Sequence, residues 1–363
     1  MVNIGVVDAN TRKRRKYWKH WCRYVACCRV SPYLDREGED GLIVFTGYEA
    51  RVRSGAYGFG RQIDVQSVSN ALGAISKSIK MRGKIIPIYL DPNKYLLPLE
   101  RQIEAYRRED PPPTPQLAVP VSVAECIFIK GKCKKTTARL IATGELALIA
   151  FYFSLRVGKY TAAEMRKTSE TRTIQFTVGD ISFWRDGEWL RNSDTKSILA
   201  VEEATTHVTN QKYCQKSGLI RHEATNIDRK GIWPVIALAL RVCHILEYGG
   251  NETSLLCEYW SEGKWWHVTP TDMGEEIKTA IVDLWLPSKG ITLNDMGTHS
   301  LRVGGAIALK LNGIFDTTIK KAGRWRSMAF LQYIHNQIGH LTAGVSSATK
   351  NKVPLRNIGG MSK

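Results

Sequence analysis

His299 and Arg302 lie three residues apart in Gly297-Thr298-His299-Ser300-Leu301-Arg302-Val303-Gly304-Gly305-Ala306. Gly323-Arg324-Trp325 and Phe330-Leu331-Gln332-Tyr333 follow downstream. On a helix, residues three apart are surface neighbours, so one turn presents an imidazole and a guanidinium together. Two packed helices could bring Trp325 and Tyr333 back to that face. A cation, an imidazole and a phenol at one point are what attack on a phosphodiester by tyrosine requires. The phenol has a pKa of ~10 and is a weak nucleophile at neutral pH. A neighbouring base must take its proton, and fixed positive donors must meet the charge spreading over the phosphate.

The elements that would position these groups are legible in the apolar spacing. A basic helix is expected from Thr11 to Cys27 with an aromatic seam of Trp18, Trp21 and Tyr24. Asp64 is placed to cap a second helix whose stripe is Val65, Val68, Leu72, Ile75 and Ile79, and Leu96, Leu99, Ile103 and Tyr106 mark a third. The run Asp110-Pro111-Pro112-Pro113-Thr114-Pro115 stops that helix and reads as a stiff linker. Beyond it a long apolar helix is expected from Thr136 to Leu155, with Arg156 at its end. Strands are expected at 173–176 and 179–184, and at 205–213 paired with 219–225 around a Gln215-Lys216-Ser217-Gly218 turn. Helices then resume at 234–248, 272–286, 299–311, 317–322 and 327–335. The aromatic group Trp260, Trp265, Trp266 and His267 reads as a loop anchored in the core.

Composition narrows the classes. The 363 residues suffice for two cored domains, and 52 Lys and Arg against 34 Asp and Glu give a formal charge of +18. That balance points first to nucleic acid and second to an acidic membrane surface. No run approaches the ~18 apolar residues of a membrane span, and the N-terminal residues lack a signal-peptide layout. The eight cysteines include no C-x-x-C pair, so they read as reduced and mostly buried thiols of an intracellular protein, with neither a zinc site nor a disulfide framework. No metal and no cofactor is expected, and no phosphate-cradling glycine loop is present.

The ordered set in HSLRVGGAIAL and AGRWRSMAFLQYI resembles the catalytic domain of the tyrosine recombinases (phage-integrase-like). Its wording is similar to the branch found in eukaryotic mobile elements such as DIRS-like retrotransposons and cryptons. The resemblance implies a mainly α fold with a small antiparallel sheet (α+β), arranged as a C-shaped clamp. A helical DNA core-binding domain would occupy 1–110, the Pro-rich linker 111–118, the catalytic domain 119–345 and a tail 346–363. By resemblance Tyr333 is the nucleophile and Arg156, in Leu155-Arg156-Val157-Gly158-Lys159, is the first catalytic arginine beside Arg302 and His299. The His/Trp position falls on Trp325 by residue type. Arg324 is the alternative, because its gap to Tyr333 is the family's usual nine residues. The general acid for the leaving oxygen is Lys212 on the hairpin strand or Lys216 in its turn. Lys159 stands where the family carries an acidic residue to orient the first arginine, and Glu164 is the nearest substitute. The implied activity is DNA recombination or integration, in a tetramer of this chain assembled on DNA in the nucleus. Relaxation of DNA in the manner of a type IB topoisomerase, or binding without catalysis, are the alternatives.

Overall fold

A computed structural model describes residues 8–34, 40–56, 60–83, 89–91, 94–111, 117–162, 174–190, 195–208, 218–223, 234–289, 291–325, 327–328 and 330–331. The described residues up to 111 form one compact unit and those from 117 onward a second.

In the first unit, α1 (Asp8–Cys27), α2 (Asp40–Arg53), α3 (Val65–Lys80) and α4 (Leu97–Glu109) pack together, with a short hairpin of β1 (Tyr89–Asp91) and β2 (Lys94–Tyr95) before α4. Asp64 caps α3 as the spacing predicts, accepting a hydrogen bond from the Ser67 amide at 2.8 Å. The α3 stripe Val68, Leu72, Ile75 and Ile79 is buried. Trp21 organises the rest. Its ring stacks on Phe45 at 4.6 Å and meets Tyr48 edge-on at 5.1 Å, while its Nε1 donates to the Pro32 carbonyl at 2.8 Å. The sequence reading passed over α2. Its buried positions 45, 48, 49 and 52 have helical spacing, but Glu49 sits among them and interrupts the apolar stripe.

The second unit is built on α6 (Ala138–Tyr152), capped by Thr137 and preceded by α5 (Val121–Gly131). Residues 142 to 151 of α6 are buried without a break, so the helix is enclosed on all sides and fixes whatever follows its C-terminus. Inside this core Glu145 pairs with Arg241 of α9 (Pro234–Glu247) at 3.2 Å, both shut off from solvent. Breaking such a pair costs about 3–5 kcal/mol, since one charge is left buried alone. After α6 comes a single turn, α7 (Val157–Tyr160). The four-stranded sheet has the order β4 (Glu188–Leu190), β3 (Ile181–Arg185), β5 (Glu203–Val208) and β6 (Gly218–Glu223), with every neighbouring pair antiparallel. The short α8 (Thr195–Leu199) lies between β4 and β5 in sequence. A hairpin of β7 (Glu258–Ser261) and β8 (Lys264–His267) leads to α10 (Pro270–Asp283), α11 (Thr298–Leu311) and α12 (Asp316–Gly323). The fold is therefore mainly α with a small antiparallel sheet. Among the described residues no helix is long and apolar enough to cross a membrane.

Several expectations change. The apolar helix stops at Tyr152, and Arg156 caps the start of α7 instead of ending α6. Residues 174–176 form no strand; the Phe176 amide donates to the Lys159 carbonyl at 2.9 Å and its carbonyl accepts from the Leu256 amide at 2.9 Å. Trp260 and Trp265 face each other across a true hairpin, because Glu262 and Gly263, at φ 53° and 76°, supply the positive-φ pair that a two-residue turn needs. Cys27, Cys28 and Cys133 are exposed, so fewer thiols are buried than expected.

Glu49 is 0% exposed, neither carboxylate oxygen has a hydrogen-bond partner among the described residues, and burial pushes its pKa up to about 8. The folded protein therefore holds a proton there that the unfolded chain releases above about pH 4.3. Stability contributed by this proton is full at low pH and is lost as pH rises through about 8. Glu49→Gln should remove that decline and stabilise the protein at pH 8.5 by a few kcal/mol, on the order the shift implies. Urea denaturation of both proteins at pH 5 and 8.5 checks it; parallel pH dependences would refute it.

Candidate active site

Two helix ends build the site. At the end of α6 the Ser154 amide donates to the Phe151 carbonyl at 3.2 Å and the Leu155 amide to the Ala150 carbonyl at 2.9 Å. This is a Schellman turn with Ser154 in the left-handed position at φ 46°. The end of α12 repeats it. The Arg324 amide donates to Lys321 at 3.0 Å and the Trp325 amide to Lys320 at 3.0 Å, with Arg324 at φ 55°. Both turns leave carbonyl oxygens at the negative end of a helix dipole, where cations are favoured.

Arg302 takes up that offer. Only 1% exposed, it donates through Nη1 to the Ser154 carbonyl at 2.5 Å and through Nη2 to the Gly323 carbonyl, so one guanidinium spans the two helix ends. Its Cζ lies 4.4 Å from the centre of the Trp325 ring, a cation–π contact. The Trp325 ring also packs on Phe330 at 5.3 Å and fills the place where a side chain on Gly323 would stand, 1.4 Å from an ideal Cβ. Trp325 thus lies against Arg302, and Arg324 donates through Nη2 to the Phe153 and Ser154 carbonyls at 3.0 and 3.1 Å.

α11 is delivered to this point by two glycines. A Cβ on Gly304 would stand 2.2 Å from the Val119 carbonyl oxygen and one on Gly305 2.1 Å from that of Phe151. Only bare backbone lets α11 lie this close to the end of α6. The helix start is tied by the Gly297 amide to Ser300 Oγ at 3.1 Å, and the buried Tyr160 of α7 donates to the Thr298 carbonyl at 3.3 Å. His299 sits in this first turn, half-buried. Burial first, then the charges of Arg302 and Arg156, push its pKa below the usual histidine range, so it is a neutral imidazole at pH 7. The same field reaches Arg324, which burial and Arg156 push down to about 10. Arg156, His299, Arg302, Arg324 and Trp325 are therefore gathered in one place.

Lys159 is 8% exposed and turns its ammonium over the Phe176 ring at 4.9 Å. Burial lowers its pKa, Asp180 opposes that shift and Arg324 adds to it. Tyr333, Lys212, Lys216 and Glu164 lie outside the described residues. Two contributors escaped the sequence reading. Ser154 provides the shared carbonyl, and nothing in Phe153-Ser154-Leu155 signals it. His222 of β6 meets the Phe153 ring edge-on at 4.3 Å and bonds the Tyr152 backbone, buttressing the same turn.

No protein-family model matches this chain, and no curated protein matches it. Solved structures do resemble it. The Tn1549 transposon integrase bound to transposon right-end DNA is 10% identical, covers 83% of this chain and 85% of its own, and superposes with a TM-score of 0.44. The XerH site-specific recombinase on palindromic difH, in a post-cleavage complex, is 13% identical over 83% and 71% at a TM-score of 0.47. XerA recombinase is 13% identical over 88% and 92% at 0.33. Likeness of this extent carries no weight for the chemistry, which rests on the site itself.

The glycine contacts set a quantitative expectation. Gly305→Ala gains up to ~1 kcal/mol of helix propensity, but its methyl meets backbone that cannot swing aside, which costs ~1–3 kcal/mol. The substitution should be net destabilising, with a lower urea midpoint than wild type. A midpoint equal to or above wild type would show that α11 does not lie as close to α6 as described.

Proposed function

We propose that this chain is a site-specific DNA recombinase or integrase of a mobile element, cutting and rejoining double-stranded DNA through a 3′-phosphotyrosyl intermediate. One observation carries the reading. Three guanidiniums and a neutral imidazole gather where α6, α11 and α12 meet, and backbone carbonyls at two helix ends hold Arg302 and Arg324 there. Such a site is complementary to an oxyanion that spreads charge over several oxygens, and guanidinium forks suit a phosphate better than ammonium does.

In the reaction, Tyr333 Oη bonds to the phosphorus, and its proton passes to His299. The bond to the 5′-oxygen breaks, and Lys212 or Lys216 protonates the leaving oxygen. The phosphotyrosyl ester conserves the bond, so a second 5′-hydroxyl can reverse the step on another strand. Arg156 and Arg302 hold the non-bridging oxygens and Trp325 closes over Arg302. The helical domain before the linker adds contacts to the duplex, recombination between two sites assembles a tetramer, and the net charge of +18 draws the chain to DNA, in the nucleus. A second reading, a DNA-binding protein without catalysis, is favoured by Lys159 in place of an acid. A third, DNA relaxation without pairing of sites, uses the same chemistry on one duplex.

The test is covalent trapping on nicked suicide DNA carrying the element's end sequences, comparing wild type with Tyr333→Phe on a denaturing gel. A protein–DNA band present in the first and absent from the second is the expected result. Binding without a band favours the silent protein, and relaxation of any supercoiled plasmid favours the topoisomerase reading. The lowered pKa of His299 adds a pH signature. As a base it works only above its own pKa, so the cleavage rate at sub-saturating DNA should fall on the acidic side, with its midpoint below the usual histidine range. His299→Gln should slow cleavage and abolish that acidic limb; an unchanged limb would remove His299 from proton transfer.

A further inference from the structure

Arg324 is not needed as a phosphate ligand in the reaction above, yet its placement is unusual. It occupies the left-handed position closing α12, which glycine normally takes because a Cβ is strained there. Gly323 lies one residue too early to relieve that strain. A long cationic side chain in such a position persists where the surrounding structure holds it, and here two backbone carbonyls of a different helix do so. Its Nη2 is taken up by those carbonyls, and its buried Nη1 has no hydrogen-bond partner among the described residues. That arrangement fits a brace better than a direct phosphate contact.

The geometry shows what it would brace. Arg302 stretches from the Ser154 carbonyl at the end of α6 to the Gly323 carbonyl at the end of α12. Arg324 belongs to the α12 end and reaches the α6 end, donating to the same Ser154 carbonyl and to that of Phe153. Its side chain therefore fixes the gap that Arg302 has to bridge. We propose that Arg324 is a positioning residue for strand cleavage, holding the ends of α6 and α12 at the separation that aims the Arg302 guanidinium at the phosphate. It acts through the Ser154 carbonyl and touches no reacting atom. Both bonds leave a single nitrogen, Nη2, so the reach of that one atom across the gap makes the brace.

The inference rests on the DNA-cleavage reading, and two measurements separate them. The first is the rate of adduct formation on saturating suicide DNA, with DNA affinity and thermal midpoint recorded for each protein. Arg324→Gln and Arg324→Gly should each slow cleavage about a hundredfold, as for a small misplacement of a catalytic group, with affinity little changed. Arg324→Gly removes the backbone strain, so its loss of rate should come without the loss of stability that misfolding would bring. Arg302→Lys combined with Arg324→Gln should be no slower than Arg302→Lys alone, because both changes disable one device. Multiplying effects, or wild-type rates in the glycine and glutamine proteins, would overturn the proposal. The second measurement needs no activity: NMR of ¹⁵N-arginine side chains in the DNA-free protein. A slowly rotating guanidinium, assigned to Arg302 by its loss in Arg302→Lys, should rotate faster in Arg324→Gly. Unchanged rotation overturns the brace. Wild type that binds DNA and forms no adduct counts against the recombinase reading, while the rotation rate still decides the brace.

Discussion

The carbonyl oxygen of Ser154, shared by the guanidiniums of Arg302 and Arg324, is the contact on which the rest of the second unit depends. It is available because Ser154 is the left-handed residue that closes α6, so its own carbonyl lies past the last intrahelical hydrogen bonds. Burying a guanidinium costs several kcal/mol in lost hydration. Hydrogen bonds from a charged donor return roughly 1.5–3 kcal/mol each, and helix C-termini add to them because their dipoles are oriented beforehand. Arg302 has two such bonds and the face of Trp325 besides. Its charge can therefore stay in a nearly dry place, where it is worth most to an incoming anion.

The remaining architecture delivers groups to that oxygen. The enclosure of α6 fixes where Ser154 lies, and Gly304 and Gly305 bring the first turn of α11 against it. Gly323 makes room for the Trp325 ring, which in turn lies on Arg302. A Cβ at any of the three glycines would overlap its neighbour by more than an ångström, and at Gly304 and Gly305 that neighbour is backbone that cannot swing aside. A site assembled in this way is pre-organised before any ligand arrives, and that is where most electrostatic catalysis has its origin.

This explains which features were legible in the sequence. His299 and Arg302 announce themselves because helical spacing and residue type coincide, and Asp64 because a cap is a local signal. The α3 stripe was readable for the same reason. Ser154 was not, since its importance lies in a backbone carbonyl that any residue possesses, and its partners are 148 and 170 positions away. α2 was hidden by a buried carboxyl that breaks its stripe, and the β7–β8 hairpin by a Glu-Gly turn where Asn-Gly or Asp-Gly would have signalled it. Residue 324 looked like a spacing ambiguity in a motif. Only the fold gives it a position, at the end of one helix and on the carbonyls of another.

Lys159 bears on whether such a site is active. In the family that the motif resembles, an acid after the first arginine orients it, so a lysine at that position suggests a site in disrepair. Yet Arg302 and Arg324 are oriented by carbonyls, which accept hydrogen bonds as a carboxylate does without adding a full negative charge to compete with phosphate for them. Lys159 does not point its charge into open space either; it lies over Phe176, with Asp180 favouring its charged form. Replacing an acid by a buried lysine raises the local positive charge, which disfavours the empty site and favours the anion-bound one. A substitution that reads as a lesion in the motif is thus compatible with tighter hold on a phosphate, because in this chain helix ends carry the orienting task for two of the three arginines.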